Sequence, residues 1–288
     1  MSGTAPFWII GKNGFIAQRI ARSPLMRDAS LHCLSSHASN TREYYNLCRP
    51  ADFDYQRIAA GSVILFLAGI SSPDRCAQPD AQDVNVRGTI QSIETFLARG
   101  ARVIFFSSDV VYGEQPRACD ESFAPAPHGD YARMKWDVER HFAQEGAVKI
   151  IRLAYVFALD DKFTQYVLKC ARQSVAAEVF HPLSRSVVYV EDVVQVIRKA
   201  AEDWGRFPPL LNMAGPQLLS RVDLVELYRR IVAPQLRYTI VAPGLDFYRH
   251  RPKIIHMTSQ YLPQLLGRAP TSIEAALQLE TAQRREEL

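Results

Sequence analysis

Short apolar runs of strand length, each followed by a stretch with helical spacing, recur through much of the chain, and this alternation restricts the fold more than any other feature. Such runs belong to a parallel sheet buried on both faces, because its crossover connections are helices. The pattern predicts strands at 7–10, 31–34, 63–67, 103–107, 148–153 and 210–212. Helices are predicted near 15–23, 84–99, 131–144, 163–173, 190–204 and 221–232. The fold class expected is α/β, a doubly wound parallel sheet followed by a smaller C-terminal lobe. Beyond Leu153 the rhythm is broken by Pro182, Pro208, Pro209, Pro216, Pro234, Pro243, Pro252, Pro263 and Pro270. Residues 1–155 plus about 186–214 are read as one domain, with about 156–185 plus 215–288 as a second lobe and a ligand crevice between them.

The chain has 288 residues, enough to bury most of its apolar surface in one large or two closely joined domains. Its 48% apolar and 22% charged residues suit a folded globule rather than a disordered chain. Arginine outnumbers lysine 27 to 7, yet the basic residues are scattered and the formal charge is only +4. A nucleic-acid partner is therefore not expected, while one or two anion-binding arginines are. Five widely spaced cysteines without a C-x-x-C pair argue against structural zinc and a disulfide framework, so no metal site is expected. No apolar stretch reaches the roughly 18 residues of a membrane span, and the start MSGTAPFWIIGKNG lacks a signal-peptide pattern. No membrane partner and a cytoplasmic location are expected.

The first strand runs straight into Gly11-Lys12-Asn13-Gly14-Phe15-Ile16-Ala17. Gly11 permits a tight turn, Gly14 lets the backbone approach a pyrophosphate at a helix N-terminus, and Ala17 is small enough for the helix to pack on the strand. The spacing, G-x-x-G-x-x-A, is one residue wider than the usual dinucleotide fingerprint. After the second strand stand Ser35, Ser36 and His37, with no acid before Glu43. An NAD-specific protein usually places a carboxylate there, so the expected cofactor is NADP, with NAD as the alternative and Lys12 and Arg42 as phosphate partners.

A serine, Ser108, follows the fourth strand at the carboxyl edge where ligands bind. Tyr131 and Lys135 lie four residues apart and share a helix face. An ammonium beside the phenol is expected to lower its pKa, so that Tyr131 exchanges a proton with a substrate oxygen held by Ser108.

With these pieces, and with Phe66-Leu67-Ala68-Gly69, Asn85-Val86-Arg87-Gly88-Thr89, Arg185-Ser186-Val187-Val188-Tyr189-Val190-Glu191-Asp192, Leu211-Asn212-Met213-Ala214-Gly215 and Arg251-Pro252, nearly the whole chain resembles the extended short-chain dehydrogenase/reductase family. That group includes nucleotide-sugar epimerases, dehydratases and reductases. The resemblance implies a Rossmann-type dinucleotide domain and a substrate-binding lobe, with Ser108, Tyr131 and Lys135 as the catalytic set. It places the cofactor against Gly11, Lys12, Gly14, Phe15, Ile16, Ser35, Arg42, Ala68 and Gly69, with Asp52 and Phe53 near the adenine and Tyr131 and Lys135 at the nicotinamide end. Asn85 is implied to be structural. Arg185 and Arg251 are implied to bind the diphosphate of a nucleotide sugar, alongside Ser108 and Asp109 as substrate contacts. A homodimer is the assembly left open. Departures from the family pattern are Ala17 for the third glycine, Ala158 where glycine is frequent, and the missing acid after the second strand.

Among the family's reactions, dehydration needs an acid and a base beyond the tyrosine, in a motif similar to Thr-Asp-Glu-Val-Tyr-Gly. Here Asp109 is present, but Val110 stands where the glutamate belongs. Ser107-Ser108-Asp109-Val110-Val111-Tyr112 is closer to the Ser-Thr-Asp-Tyr-Val-Phe of dTDP-4-dehydrorhamnose-reductase-like 4-keto reductases than to the Ser-Ser-Ala-Thr-Val-Tyr-Gly of 4-epimerases. The leading expectation is NAD(P)H-dependent reduction of a keto group on a nucleotide-linked deoxysugar. An NAD-dependent 4-epimerase is the alternative, and a nonenzymatic NADP-binding regulator a third.

Overall fold

The computed structural model describes residues 5–286. In chain order the strands are β1 (Phe7–Ile10), β2 (Leu31–Leu34), β3 (Val63–Phe66), β4 (Arg102–Ser108), β5 (Val148–Leu153), β6 (Tyr155–Phe157), β7 (Ala177–Phe180), β8 (Ser184–Tyr189), β9 (Leu210–Met213), β10 (Gln217–Ser220), β11 (Tyr238–Val241) and β12 (Ile254–Ile255). The helices are α1 (Phe15–Arg22), α2 (Pro73–Cys76), α3 (Thr89–Ala98), α4 (Asp130–His141), α5 (Lys162–Arg172), α6 (Val190–Glu202), α7 (Arg221–Ile231), α8 (Leu245–Tyr248), α9 (Leu262–Leu266) and α10 (Ile273–Glu286).

The main sheet is wholly parallel, with strand order β2-β1-β3-β4-β5-β9. Every residue of β1, β3 and β5 is buried. Their side chains alternate between two cores: Phe7 and Ile9 pack on the face covered by Ile20 of α1 and Val193 of α6, while Trp8 and Ile10 face Phe96 of α3 and Val138 of α4. Chain order reverses beside β1, because β2 lies on one flank and β3 on the other. A crevice therefore opens at the carboxyl ends of β1 and β3, where open α/β sheets bind ligands.

The second lobe is built on β8, which pairs with β10, β12 and β6, while β7 and β11 form a separate parallel pair. Because β8 is continuous to Tyr189, a boundary at 186 falls inside a strand; α6 then returns to the main sheet and packs on α1. Helix α10 joins the lobes. Its Glu280 is 3% exposed, pairs with Arg19 of α1, and accepts from the Tyr189 hydroxyl (3.1 Å) and the Leu159 amide (3.3 Å). Among the described residues no helix is long and apolar enough to cross a membrane, and no cluster of side chains forms a metal site.

Predicted helix 84–99 begins instead as a wider π turn, Asp83–Gly88, before α3. Close approach explains the glycine in this turn: a Cβ on Gly88 would lie 2.0 Å from the Leu47 carbonyl oxygen.

One polar cluster penetrates the core. Arg152 of β5 and Glu139 of α4 are each 2% exposed and meet through three hydrogen bonds, from Nε to both carboxylate oxygens (3.1 Å each) and from Nη2 to Oε2 (2.6 Å). Arg152 Nη1 also donates to the Tyr112 hydroxyl (2.7 Å), which donates to the Asp120 carbonyl (2.8 Å) and accepts from Asn212 Nδ2 of β9 (2.9 Å). Breaking such a pair from one side leaves a buried charge uncompensated. Glu139→Gln or Arg152→Met is expected to lower unfolding free energy by about 3–5 kcal/mol, while the double variant Glu139→Leu/Arg152→Met loses less than either. Urea midpoints of the three variants check this, and losses that simply add would contradict it.

Candidate active site

The crevice at β1 and β3 is shaped by backbone proximity. Gly11 has φ +101°, and a Cβ there would lie 2.9 Å from the backbone of Ala68. Gly11 and Lys12 amides both donate to the Leu34 carbonyl (2.9 and 3.0 Å), which draws the turn across the end of β2. Gly14 begins α1 without a side-chain cap, so the first-turn amides are open to an anion. The walls are Gly11, Asn13 and Gly14, residues 35–37, residues 45–48 and residues 67–70, around a cavity of about 370 Å³. Asn85 pins the far wall, accepting from the Ile70 amide (2.7 Å) and donating to its carbonyl (2.9 Å). A glycine cradle that a Cβ would fill, opposite an uncapped helix start, fits the diphosphate of a dinucleotide.

Gly11, Gly14, Ser35, Ala68 and Gly69 thus meet in one place. Phe15 and Ile16 turn their side chains onto the main core. Asp52 and Phe53 lie apart from this crevice, in a second hollow that includes Arg42 and Glu43; Phe53 is buried among Trp8, Tyr45 and Tyr55. The expectation that no acid stands at the end of β2 is corrected. Residues 35–44 fold back, the Ser35 amide donates to the Glu43 carbonyl (2.9 Å), and the Glu43 carboxylate forms an ion pair with Lys12 in the glycine turn. Glu43 was the first acid after β2 in the sequence; the loop, and not sequence adjacency, brings it back to the strand's end. Asn13 was missed as well; its Nδ2 donates to Ser35 Oγ (3.0 Å).

A larger cavity of about 630 Å³ opens between the lobes and includes Asp109, Val110, Tyr131, Tyr155, Arg185, Arg221, His250 and Arg251 in its walls. Ser108 ends β4, and its hydroxyl donates to Asp109 Oδ1 (2.9 Å). Burial pushes the Asp109 carboxyl up from its ordinary range, with Arg185 opposing: its Nε is 3.6 Å from Oδ2. Tyr131 and Lys135 share the inward face of α4 with Glu139, one turn apart at each step. The Lys135 ammonium donates to the Phe106 carbonyl (2.7 Å) and lies 4.7 Å from the Phe105 ring centroid and 5.9 Å from that of Tyr131.

The electrostatics differ from the expectation of a lowered phenol. Burial pushes the Tyr131 hydroxyl above its ordinary value, and charge on Cys76 and Asp109 pushes it further. Burial pushes Lys135 itself down to about 8, with Glu139 opposing. Burial thus favours the neutral form of both side chains, the phenol of Tyr131 and the amine of Lys135.

The family model named Epimerase, the NAD dependent epimerase/dehydratase family, matches residues 7–211. The chain belongs to this family. It is 24% identical over 208 residues to N-acetyl-alpha-D-glucosaminyl-diphospho-ditrans,octacis-undecaprenol 4-epimerase of Escherichia coli O157:H7, a match spanning 66% of this chain and 61% of the relative's length. MoeE5 in complex with UDP-glucose and NAD shares the fold, with a TM-score of 0.79 at 18% identity over 98% of this chain and 99% of that one. So does a dTDP-4-dehydrorhamnose reductase from Clostridium acetobutylicum, with a TM-score of 0.77 at 17% identity over 98% of this chain and 100% of that one. The family is described as NAD dependent, which agrees with the glycine cradle and uncapped helix start of the first crevice.

Within this family member the two expected diphosphate arginines are unequally free. Arg185 spends Nη1 on the Ser184 and Lys253 carbonyls (2.7 and 3.1 Å) and Nη2 on the Pro252 carbonyl (2.6 Å). Arg251 donates to the Phe247 carbonyl (3.3 Å) and to Asp74 (2.9 Å), an acid 74% exposed and so readily exchanged for a ligand.

Two outcomes follow for α4. Tyr131→Phe is expected to leave cofactor binding near wild type while lowering turnover by about two to four orders of magnitude; turnover close to wild type would remove Tyr131 from the chemistry. Lys135 titrates near 8 when folded against an ordinary 10.5, so the unfolded chain binds the extra proton between those values and stability rises with pH across that window. Lys135→Met is thus expected to be more stable than wild type at pH 7, with its advantage shrinking from pH 8 to 10.5. Melting temperatures across that range check the sign.

Proposed function

We propose that this enzyme reduces a keto carbon on a nucleotide-linked deoxysugar, with NADPH as reductant. The observation that carries the reading is the placement of Tyr131 and the buried Asp109 in the wall of one inter-lobe cavity, with the Ser108 hydroxyl on Asp109. A neutral phenol suits a reaction whose first demand is a proton for a developing alkoxide. The bound nicotinamide supplies the hydride. Ser108 fixes the substrate oxygen, Tyr131 gives it a proton, and Lys135 stabilises the phenolate that remains. Val110 offers no base, which argues against dehydration. On the cofactor side Gly11, Gly14, the first turn of α1, Ser35, Ala68 and Gly69 hold the dinucleotide, and Lys135 and Tyr131 its nicotinamide ribose. Lys12, released from Glu43, and Arg42 are the partners proposed for the 2′-phosphate.

A 4-epimerase that retains NAD is the second reading. Glu43 favours it, being an acid brought back to the end of β2, as does the 4-epimerase activity named for the Escherichia coli relative. The readings differ in cofactor balance. Supplied with a 4-keto-6-deoxy nucleotide sugar, the enzyme is expected to oxidise one NADPH per product, followed by absorbance at the nicotinamide band and by product assay. Product without oxidised cofactor, or tightly held NAD that supports sugar interconversion, would overturn the reductase. Removing the acid by Glu43→Gln is expected to shift the ratio of NADH to NADPH dissociation constants toward NADPH; an unchanged ratio would place Glu43 outside cofactor selection.

A further inference from the structure

The inter-lobe cavity holds a third guanidinium, on Arg221, the first residue of α7. Its environment is unlike that of the other two. The guanidinium carbon lies 4.4 Å from the Tyr155 ring centroid and 4.1 Å from that of Phe163, so two aromatic groups fix its position. Among the described residues no acceptor takes a hydrogen bond from its side chain, and Nη1 is fully buried without a partner. A guanidinium has five N–H donors, and leaving them unsatisfied inside a protein is unfavourable. Arg185, by contrast, is consumed by three carbonyls and faces Asp109.

We propose that Arg221 is the oxyanion-binding residue of this cavity, forking onto an ionised oxygen pair of the substrate, in the place that family resemblance gives to Arg185. The shared chemistry is a pair of anionic oxygens on one atom, accepting two parallel N–H bonds, provided either by the diphosphate or by a carboxylate on the sugar. The two aromatic rings hold the fork in a fixed orientation before the ligand arrives, so little side-chain freedom is lost on binding. Arg185 then acts as a positioning residue, bracing β8 against residues 252–253 and holding Asp109. This inference rests on reading the cavity as a nucleotide-sugar site.

Calorimetric titration of the full chain tests it, using UDP, GDP, dTDP, UDP-glucose and UDP-glucuronic acid against wild type, Arg221→Gln and Arg221→Lys. With melting temperature and NADPH affinity unchanged, Arg221→Gln is expected to weaken the preferred ligand by about tenfold to a hundredfold, and Arg221→Lys, which keeps the charge without the fork, by less. Weakening of the nucleoside diphosphates themselves assigns the fork to the diphosphate. Weakening confined to UDP-glucuronic acid assigns it to a carboxylate. Unchanged affinities for every ligand would overturn the role of Arg221 while leaving the nucleotide-sugar reading intact. A wild type that binds none of the five would overturn that reading, and the proposal with it.

Discussion

The buried Arg152–Glu139 pair is the contact on which the site's geometry depends. Glu139 is the inner end of a three-residue stripe, Tyr131, Lys135 and Glu139, along one face of α4. Clamping Glu139 to β5 sets both the depth and the rotation of the helix, and hence where the phenol and the ammonium point. The other edge of Arg152 holds the Tyr112 hydroxyl, which ends the short turn Asp109–Tyr112 directly after Ser108. Through Asn212 the same network reaches the Cys119 and Thr258 carbonyls (3.4 and 2.9 Å). One ion pair thereby joins α4, the serine turn, two sheet strands and a crossing into the second lobe.

Burial of ionisable side chains along this cavity works against stability. Three ionisable groups, Asp109, Tyr131 and Lys135, are held in apolar surroundings that oppose their charged forms. Lys135 meets a carbonyl and an aromatic face rather than a carboxylate partner. Perturbed groups gathered in a cleft are the usual physical mark of a working site.

The sequence made the main sheet readable because β1, β3 and β5 are buried on both faces, and a run such as Phe7-Trp8-Ile9-Ile10 has few alternatives. The stripe of Tyr131 and Lys135 was readable from spacing alone. The short strands of the second lobe were not: β7 and β11 are partly exposed and pair across some sixty residues of chain, leaving no local apolar period to detect. The folded position of Glu43 and the presence of Arg221 in the cavity were unreadable for a related reason. Each acquires its role from where a loop or helix start is folded to, beside Lys12 in one case and between Tyr155 and Phe163 in the other. Arg185 matched a motif, but the carbonyls that occupy it belong to Ser184 and to the distant Pro252 and Lys253.

The central claim is that hydride leaves the cofactor for good and arrives on a carbon whose oxygen takes its proton from Tyr131. Tracing a deuterium label from the transferable position of the nicotinamide ring tests this most directly. With a 4-keto nucleotide sugar and the deuterated reduced cofactor, one deuterium is expected on the product's carbinol carbon per turnover, with unlabelled oxidised cofactor in solution. Sugar product free of deuterium, with the label still on the cofactor, would contradict it.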